Sequence, residues 1–197
     1  MTESTSPWIV PSKFSVAREA RSERKGHRPF CVWFTGLSGA GKSTLANLLE
    51  EELHGRGMHT YQLDGDNVRT GLCRDLGMGL DDRRENVRRL GEVARLFVDA
   101  GLVVLVSAIS PLREDRQAVR ERFAPGEFFE IHVSTSFEEC QRRDVKGLYR
   151  AALEGRLRDF TGVDSPYEEP LTPELRIDTG VVGPEQAVRQ LLAMLSL

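Results

Sequence analysis

An α/β fold, with a central parallel sheet and helices on both of its faces, is the class this sequence predicts. Three observations predict it. From Phe30 onward, short apolar runs alternate with segments of helical periodicity. The run Leu102 to Ile109 is almost wholly apolar and rich in valine, as expected of a strand buried on both faces in the middle of a parallel sheet. A glycine-rich stretch, Gly36 to Thr44, falls between a predicted strand and a predicted helix.

The elements follow in order. Residues 1–28 read as a partly flexible tail: they are polar and carry six basic against three acidic side chains. Val16 to Lys25 within them suits a short helix with little apolar face. Phe30 to Thr35 is a buried strand ending at Gly36. Lys42 to Gly55 places Leu45, Leu48, Leu49 and Leu53 at helical spacing. Thr60 to Leu63 is a second strand, ending at Asp64-Gly65-Asp66. Arg84 to Ala100 sets Val87, Leu90, Val93, Ala94, Phe97 and Val98 on one stripe and stops at Gly101. After the strand Leu102–Ile109, Pro111 suits the first turn of a helix running to about Arg122. Phe128 to Val133 is a fourth strand. Ser136–Arg143 and Lys146–Gly155 are short helical stretches, and 156–173, with its three prolines, is a loop. Glu174–Ile177 makes a short edge strand, and Pro184–Leu195 a closing amphipathic helix. There is no internal repeat, so residues 29–197 form one domain.

Gly36-Leu37-Ser38-Gly39-Ala40-Gly41-Lys42-Ser43-Thr44 matches G-x-x-x-x-G-K-[ST] in full. Glycines let backbone amides turn toward a phosphate, and the helix start adds partial positive charge. Lys42 reaches the β- and γ-phosphates and Ser43 holds Mg²⁺ in such a loop, so the expected ligands are ATP and Mg²⁺ on a P-loop NTPase fold. Only four of the 27 basic side chains are lysines, and only Lys42 and Lys146 lie beyond the tail. A lysine kept in an arginine-rich chain fits a site where a compact ammonium is needed. No guanine-reading [NT]-K-x-D is present. A chain of 197 residues with late arginine clusters fits a small-molecule or nucleotide kinase.

Composition narrows the classes further. A net charge of −3 excludes a strongly basic nucleic-acid binder. No apolar run approaches a membrane span, and the first residues lack a charged-then-apolar export pattern. Three cysteines without C-x-x-C give neither a disulfide framework nor a zinc site. The expectation is a cytoplasmic enzyme with a small-molecule nucleotide substrate and no nucleic-acid or membrane partner.

Past the second strand stands Asp64-Gly65-Asp66-Asn67-Val68-Arg69. In a parallel α/β sheet, residues just beyond a strand face the ligand crevice. Two carboxylates there would hold the metal or accept a hydroxyl proton; a plain polar turn is the rival reading. Further segments decide between them: Asp82-Arg83-Arg84-Glu85-Asn86-Val87-Arg88-Arg89, Ile109-Ser110-Pro111, Arg143-Asp144-Val145-Lys146-Gly147-Leu148-Tyr149, and Asp159-Phe160-Thr161-Gly162-Val163-Asp164-Ser165-Pro166-Tyr167-Glu168. With Trp33-Phe34-Thr35-Gly36-Leu37-Ser38-Gly39, this set resembles the adenylyl-sulfate kinase family, from about Lys25 to Thr179.

The resemblance implies transfer of the γ-phosphoryl group of Mg-ATP to the 3′-hydroxyl of adenosine 5′-phosphosulfate, in sulfate activation. It implies that Lys42 and Asp66 are catalytic, with Asp66 near metal and acceptor hydroxyl beside Ser43. Arg69, Arg83 and Asn86 contact the acceptor, and the backbone at Ile109 and Ser110 holds it together with Lys146. Phe160 stacks on its adenine. Two readings of Ser110 stand: the phosphoserine described for bacterial members, and a helix cap ahead of Pro111. Arg84, Arg88 and Arg89 read as solvated helix charges, while Arg142 or Arg143 is either a donor-phosphate stabiliser or a surface ion pair. The resemblance also implies a homodimer. The chain departs from the family pattern at Met78, usually Phe and the other wall of the adenine clamp, and at Cys73, Ala108 and Leu112. Those departures favour one alternative, a kinase of the same family acting on a different 5′-substituted nucleotide. A second alternative is a non-catalytic nucleotide-binding regulator.

Overall fold

A computed structural model describes residues 8–197. Among these residues five strands form one all-parallel sheet: β1 (Phe30–Thr35), β2 (Thr60–Asp64), β3 (Val103–Ser107), β4 (Phe128–Val133) and β5 (Leu175–Ile177), in the order β2-β3-β1-β4-β5. The chain leaves β1 for the β2 edge, returns to β3, then crosses β1 to reach β4 and β5. Such a reversal opens a crevice at the carboxyl ends of the central strands. Register aligns that end: Asp64 of β2 and Phe34 of β1 both lie opposite Ser107 of β3.

Among the described residues eight helices accompany the sheet: α1 (Arg18–Lys25), α2 (Lys42–Gly55), α3 (Gly65–Val68), α4 (Leu80–Asp99), α5 (Arg113–Arg120), α6 (Phe137–Arg143), α7 (Leu148–Leu153) and α8 (Pro184–Leu195). Strand side chains alternate between two cores. Phe30, Val32 and Phe34 of β1 join Val103 and Leu105 of β3 against Leu49 and Leu53 of α2 and Leu191 and Leu195 of α8. Cys31 and Trp33, with Val104 and Val106, meet Val87, Leu90 and Val98 of α4 and Val119 of α5. Both faces of β1 and β3 are therefore buried, which explains their unbroken apolar runs. Burying each such Leu, Val or Phe contributes about 1.5–3 kcal/mol. At Gly91 a Cβ would stand 2.7 Å from Val119, so only glycine lets α4 and α5 approach this closely.

Several boundaries differ from the sequence reading. α4 begins at Leu80, four residues ahead of Arg84, with Asp81 and Asp82 in its first turn, where the helix dipole favours acids. α5 begins at Arg113, so Pro111 lies outside the helix and Leu112 is its N-cap. α7 is confined to Leu148–Leu153 between Gly147 and Gly155, both at positive φ. Asp64 accepts hydrogen bonds from the amides of Asp66 and Asn67 and so starts the single turn α3. The stretch read as a tail is not uniform. Residues 1–7 lie outside the described residues, and 9–17 hold no helix or strand. α1 is tied down by Arg21 to Asp99 (2.6 Å) and Arg18 to Glu127. Cys31, Cys73 and Cys140 are free and buried. Among the described residues no helix is long and apolar enough to cross a membrane.

Candidate active site

The chain leaves β1 at Thr35 and turns through Gly36–Gly41 into α2. Gly36 passes so close to β4 that a Cβ would lie 2.4 Å from the Val133 carbonyl oxygen. Residues from distant parts of the sequence hold the loop by its carbonyls. The Ala40 oxygen accepts from Thr135 Oγ1 (3.0 Å) and Thr179 Oγ1 (2.8 Å), just beyond β4 and β5. Arg143 donates to Thr179 Oγ1 (2.8 Å), to the Thr179 carbonyl (2.9 Å) and to the Gly39 carbonyl (3.3 Å). Tyr149 donates its hydroxyl to the Ser38 carbonyl (2.9 Å). The loop is thus shaped from outside, and the orphan amides at the start of α2 remain for an anion.

Lys42 arches back over the loop, its Nζ donating to the carbonyls of Gly36 (2.9 Å) and Leu37 (2.7 Å). Burial pushes its pKa down to about 8. A triphosphate would supply the counter-charge this ammonium otherwise draws from carbonyl dipoles. Ser43 Oγ donates to Asp64 Oδ2 at 2.6 Å. A hydroxyl and a carboxylate side by side at the helix start are hard oxygen donors of the kind Mg²⁺ takes. Asp66, one turn further on, is exposed and forms an ion pair with Lys146.

Asp66, Arg69, Met78, Arg83, Asn86, Ile109, Ser110, Lys146 and Phe160 all line one cavity of about 510 Å³, together with Ser38, Gly39, Gly41, Lys42, Ser43 and Thr44. Gly36, Leu37 and Ala40 complete the loop without lining that cavity. Arg69 donates to the Gly77 carbonyl (2.8 Å). Arg83 donates to the Met78 carbonyl (2.7 Å), to Thr161 Oγ1 and to the Asp159 carbonyl, so it ties α4 to both walls around Phe160. Burial, with Arg69 nearby, lowers its pKa. Phe160 is 5% exposed and packs edge-on to Tyr149 at 4.9 Å, whereas Met78 is 50% exposed. Asn86 Oδ1 and Ser107 Oγ are buried polar atoms of the cavity lining with no hydrogen-bond partner. A buried polar atom without a partner is costly unless a ligand satisfies it.

Ser110 does not cap α5, whose N-cap is Leu112. Its hydroxyl instead accepts from the Trp33 indole at 3.0 Å, and the residue is 2% exposed. Arg142 and Arg143 both pair with Glu139, Arg142 at 2.7 Å and Arg143 at 2.8 Å; Arg142 is exposed, while Arg143 is also the loop brace described above. Arg84, Arg88 and Arg89 pair with Asp115, Glu85 and Asp75 as helix surface charges. Sequence reasoning put the metal at Ser43 and Asp66; the carboxylate touching Ser43 is Asp64. It also missed Thr135, Thr179 and the brace made by Tyr149. Position just past a strand end was the available signal for the two threonines.

This geometry can be set beside known proteins. The family model described as adenylylsulphate kinase matches residues 28–178. The adenylyl-sulfate kinase of Geotalea uraniireducens (strain Rf4) is 59% identical over 184 residues, 93% of this chain and 88% of that protein. The adenylyl-sulfate kinase of Shewanella sp. (strain W3-18-1) is 56% identical over 188 residues, 95% of this chain and 92% of that one. Among solved structures, the Mycobacterium tuberculosis APS kinase in complex with AMPPNP and APS superposes with a TM-score of 0.81 at 48% identity, covering 86% of this chain and 99% of that chain. A phosphate loop facing an arginine- and asparagine-lined cavity, and a family match across nearly the whole folded part, lead to one assignment: the chain belongs to the adenylyl-sulfate kinase family.

Proposed function

We propose that the protein transfers the γ-phosphoryl group of Mg-ATP to the 3′-hydroxyl of adenosine 5′-phosphosulfate, releasing ADP and 3′-phosphoadenosine 5′-phosphosulfate. The observation that carries this reading is a single cavity joining the phosphate loop to a second wall, where Asn86 Oδ1 and Ser107 Oγ are buried without partners. A simple nucleotide hydrolase has no use for that second wall. The family's activity and the substrate complex of the Mycobacterium tuberculosis relative support the same reading.

Each group then has a role. The loop amides and Lys42 bind the donor phosphates and neutralise charge as the bond from Pγ to the β-bridging oxygen breaks. Ser43 and Asp64 are the residues that would hold Mg²⁺, which supplies charge neutralisation on the transferring phosphates. Asp66 accepts the proton of the 3′-hydroxyl as the new O–P bond forms. Lys146, its ion-pair partner, balances the carboxylate and holds the acceptor. Arg69, Arg83 and Asn86 recognise the anionic acceptor, since guanidinium groups bind phosphate and sulfate in bidentate fashion. Phe160 stacks on the base. ATP supply and three unpaired buried cysteines suit a cytoplasmic enzyme, and we take the working form to be a homodimer.

Met78 favours a second reading, a kinase of the same family acting on another 5′-substituted nucleotide. Its side chain is half exposed where an aromatic ring would close the clamp. The regulator reading loses its ground: a binding-only protein has no need of Ser43, Asp64 and Asp66 arranged beside the loop. The test is the product of a reaction with ATP and adenosine 5′-phosphosulfate, examined by phosphorus and proton NMR. We expect a new phosphomonoester on the 3′-oxygen. ADP formed without a phosphorylated acceptor would overturn the reading.

A further inference from the structure

One charged side chain outside the cavity links three parts of the site. Arg116, on the second turn of α5, is 2% exposed. Its Nε donates to Glu130 Oε1, its Nη1 to the Ser110 carbonyl and its Nη2 to the Glu168 carbonyl, each at 2.6 Å. The guanidinium also lies 5.8 Å from the centre of the Tyr167 ring. A buried guanidinium is tolerated only when paired and hydrogen-bonded, and here each of its three nitrogens is satisfied.

What it holds is unusual backbone. Ser110 has φ +41°, a conformation an L side chain rarely adopts and one that persists only where neighbours over-determine it. The second tie, to Glu168, anchors the end of the loop that carries Phe160. That anchor is shared: the Glu168 amide donates to the Pro111 carbonyl (2.8 Å). Tyr167 and Thr35 are hydrogen-bonded through their hydroxyls (3.1 Å), and Thr35 Oγ1 donates to the Ile109 carbonyl (2.6 Å). Thr35 is the residue immediately before the phosphate loop. The acceptor segment 109–110, the loop anchor at 167–168 and the entrance to the phosphate loop thus meet at one point, with the Arg116 guanidinium hydrogen-bonded to both of the first two.

We propose that Arg116 is a positioning residue for the acceptor nucleotide. By holding the Ser110 carbonyl and the Glu168 end of the loop in one register, it sets how well the acceptor is bound without touching it. Glu130 keeps the guanidinium oriented. The inference rests on the functional reading above and concerns the acceptor half of that same site.

The test is a separation of KM values. Lysine at position 116 keeps the charge but cannot present three donors in a planar fork. Arg116→Lys should raise the acceptor KM by about tenfold or more while the ATP KM stays within about twofold of wild type. Arg116→Met combined with Glu130→Gln leaves no uncompensated buried charge, and should give the same split if the lysine variant does not fold. Arg120→Lys is the control: Arg120 approaches the same Glu130 at 3.4 Å but reaches neither Ser110 nor Glu168, so its acceptor KM should not move. A purely structural role would lower thermal stability and active fraction with both KM values unchanged or raised alike, and that result would overturn the proposal. So would an equal rise in acceptor KM for Arg120→Lys. Wild-type turnover of adenosine 5′-phosphosulfate reports separately on the functional reading. The KM ratio is measured with whichever 5′-substituted nucleotide wild type uses.

Discussion

Lys42 exchanges water for two carbonyl oxygens of its own loop, and the proposed function makes it the residue on which donor binding turns. Lys42→Ala should keep the fold, since the loop is braced from outside by Thr135, Thr179 and Arg143, yet lower turnover by orders of magnitude. Circular dichroism with steady-state rates checks both halves; near-normal turnover would remove the phosphate-loop assignment. The two aspartates make a sharper pair. Asp64 touches Ser43, whereas Asp66 touches Lys146. Asp64→Asn should raise the Mg²⁺ concentration needed for half-maximal rate and recover part of its activity at high Mg²⁺. Asp66→Asn should lower kcat at every Mg²⁺ concentration with ATP affinity little changed. Identical Mg²⁺ profiles would erase the division of labour. Base–aromatic stacking contributes about 1–3 kcal/mol, so if Phe160 carries the acceptor base as proposed, Phe160→Ala should weaken acceptor binding about 5- to 150-fold in a calorimetric titration. The motif residues were legible because their chemistry lies within nine consecutive positions. Thr135 and Thr179 were not: they meet Ala40 across 95 and 139 residues of chain, and their one local mark, a place just past a strand end, does not say which loop they would brace.

At the scale of elements, α4 shows where periodicity misleads. Arg83 occupies a buried position in the first turn of this helix, so an apolar template scores it as a miss and starts the helix late, and buried Asn86 is a second polar residue on the same inward face. Polar residues in core positions are what a binding wall requires. Pro111 misled in the other direction, because it ends the acceptor segment and does not begin α5. The long loop after α7 is also less uniform than its composition implies. Phe160 and Thr161 are buried, and Asp164 accepts from the amides of Asp159 (2.8 Å) and Phe160 (2.6 Å). Hydrogen exchange should therefore find 159–169 protected without nucleotide, with ligand-induced protection concentrated in 144–158. A uniformly fast loop before binding would contradict this packing. β4 supplies a pH signature. His132 is 3% exposed, and its Nδ1 accepts from Arg176 at 2.9 Å, because arginine can only donate. Its proton is therefore on Nε2, and burial pushes the pKa down to about 4. The unfolded chain binds the proton first as pH falls below the ordinary value of 6.5, so this residue's contribution to stability declines from there to about pH 4 and levels off below. His132→Gln should flatten that part of the stability profile, and NMR should find its imidazole neutral at pH 5.

Across the whole molecule, alternation of strands and helices was readable, and so was burial of β1 and β3 on both faces. The order β2-β3-β1-β4-β5 was not, because strand order is fixed by pairing between distant segments whose apolar faces are interchangeable in composition. That order matters for function. It sets Asp64, Ser107 and the phosphate loop together at the carboxyl end of the sheet, and it brings β4 and β5 alongside to brace the loop. The phosphate loop and residues from five further segments then share one cavity of about 510 Å³. The central claim is that this cavity serves adenosine 5′-phosphosulfate. The most direct test is kcat/KM for that nucleotide and a panel of other 5′-substituted adenosine nucleotides, at fixed Mg-ATP, in wild type and Met78→Phe. The account predicts that wild type prefers adenosine 5′-phosphosulfate by about tenfold or more and that Met78→Phe leaves its acceptor binding similar or tighter. A wild-type preference of that size for another nucleotide, reduced by Met78→Phe, would contradict it.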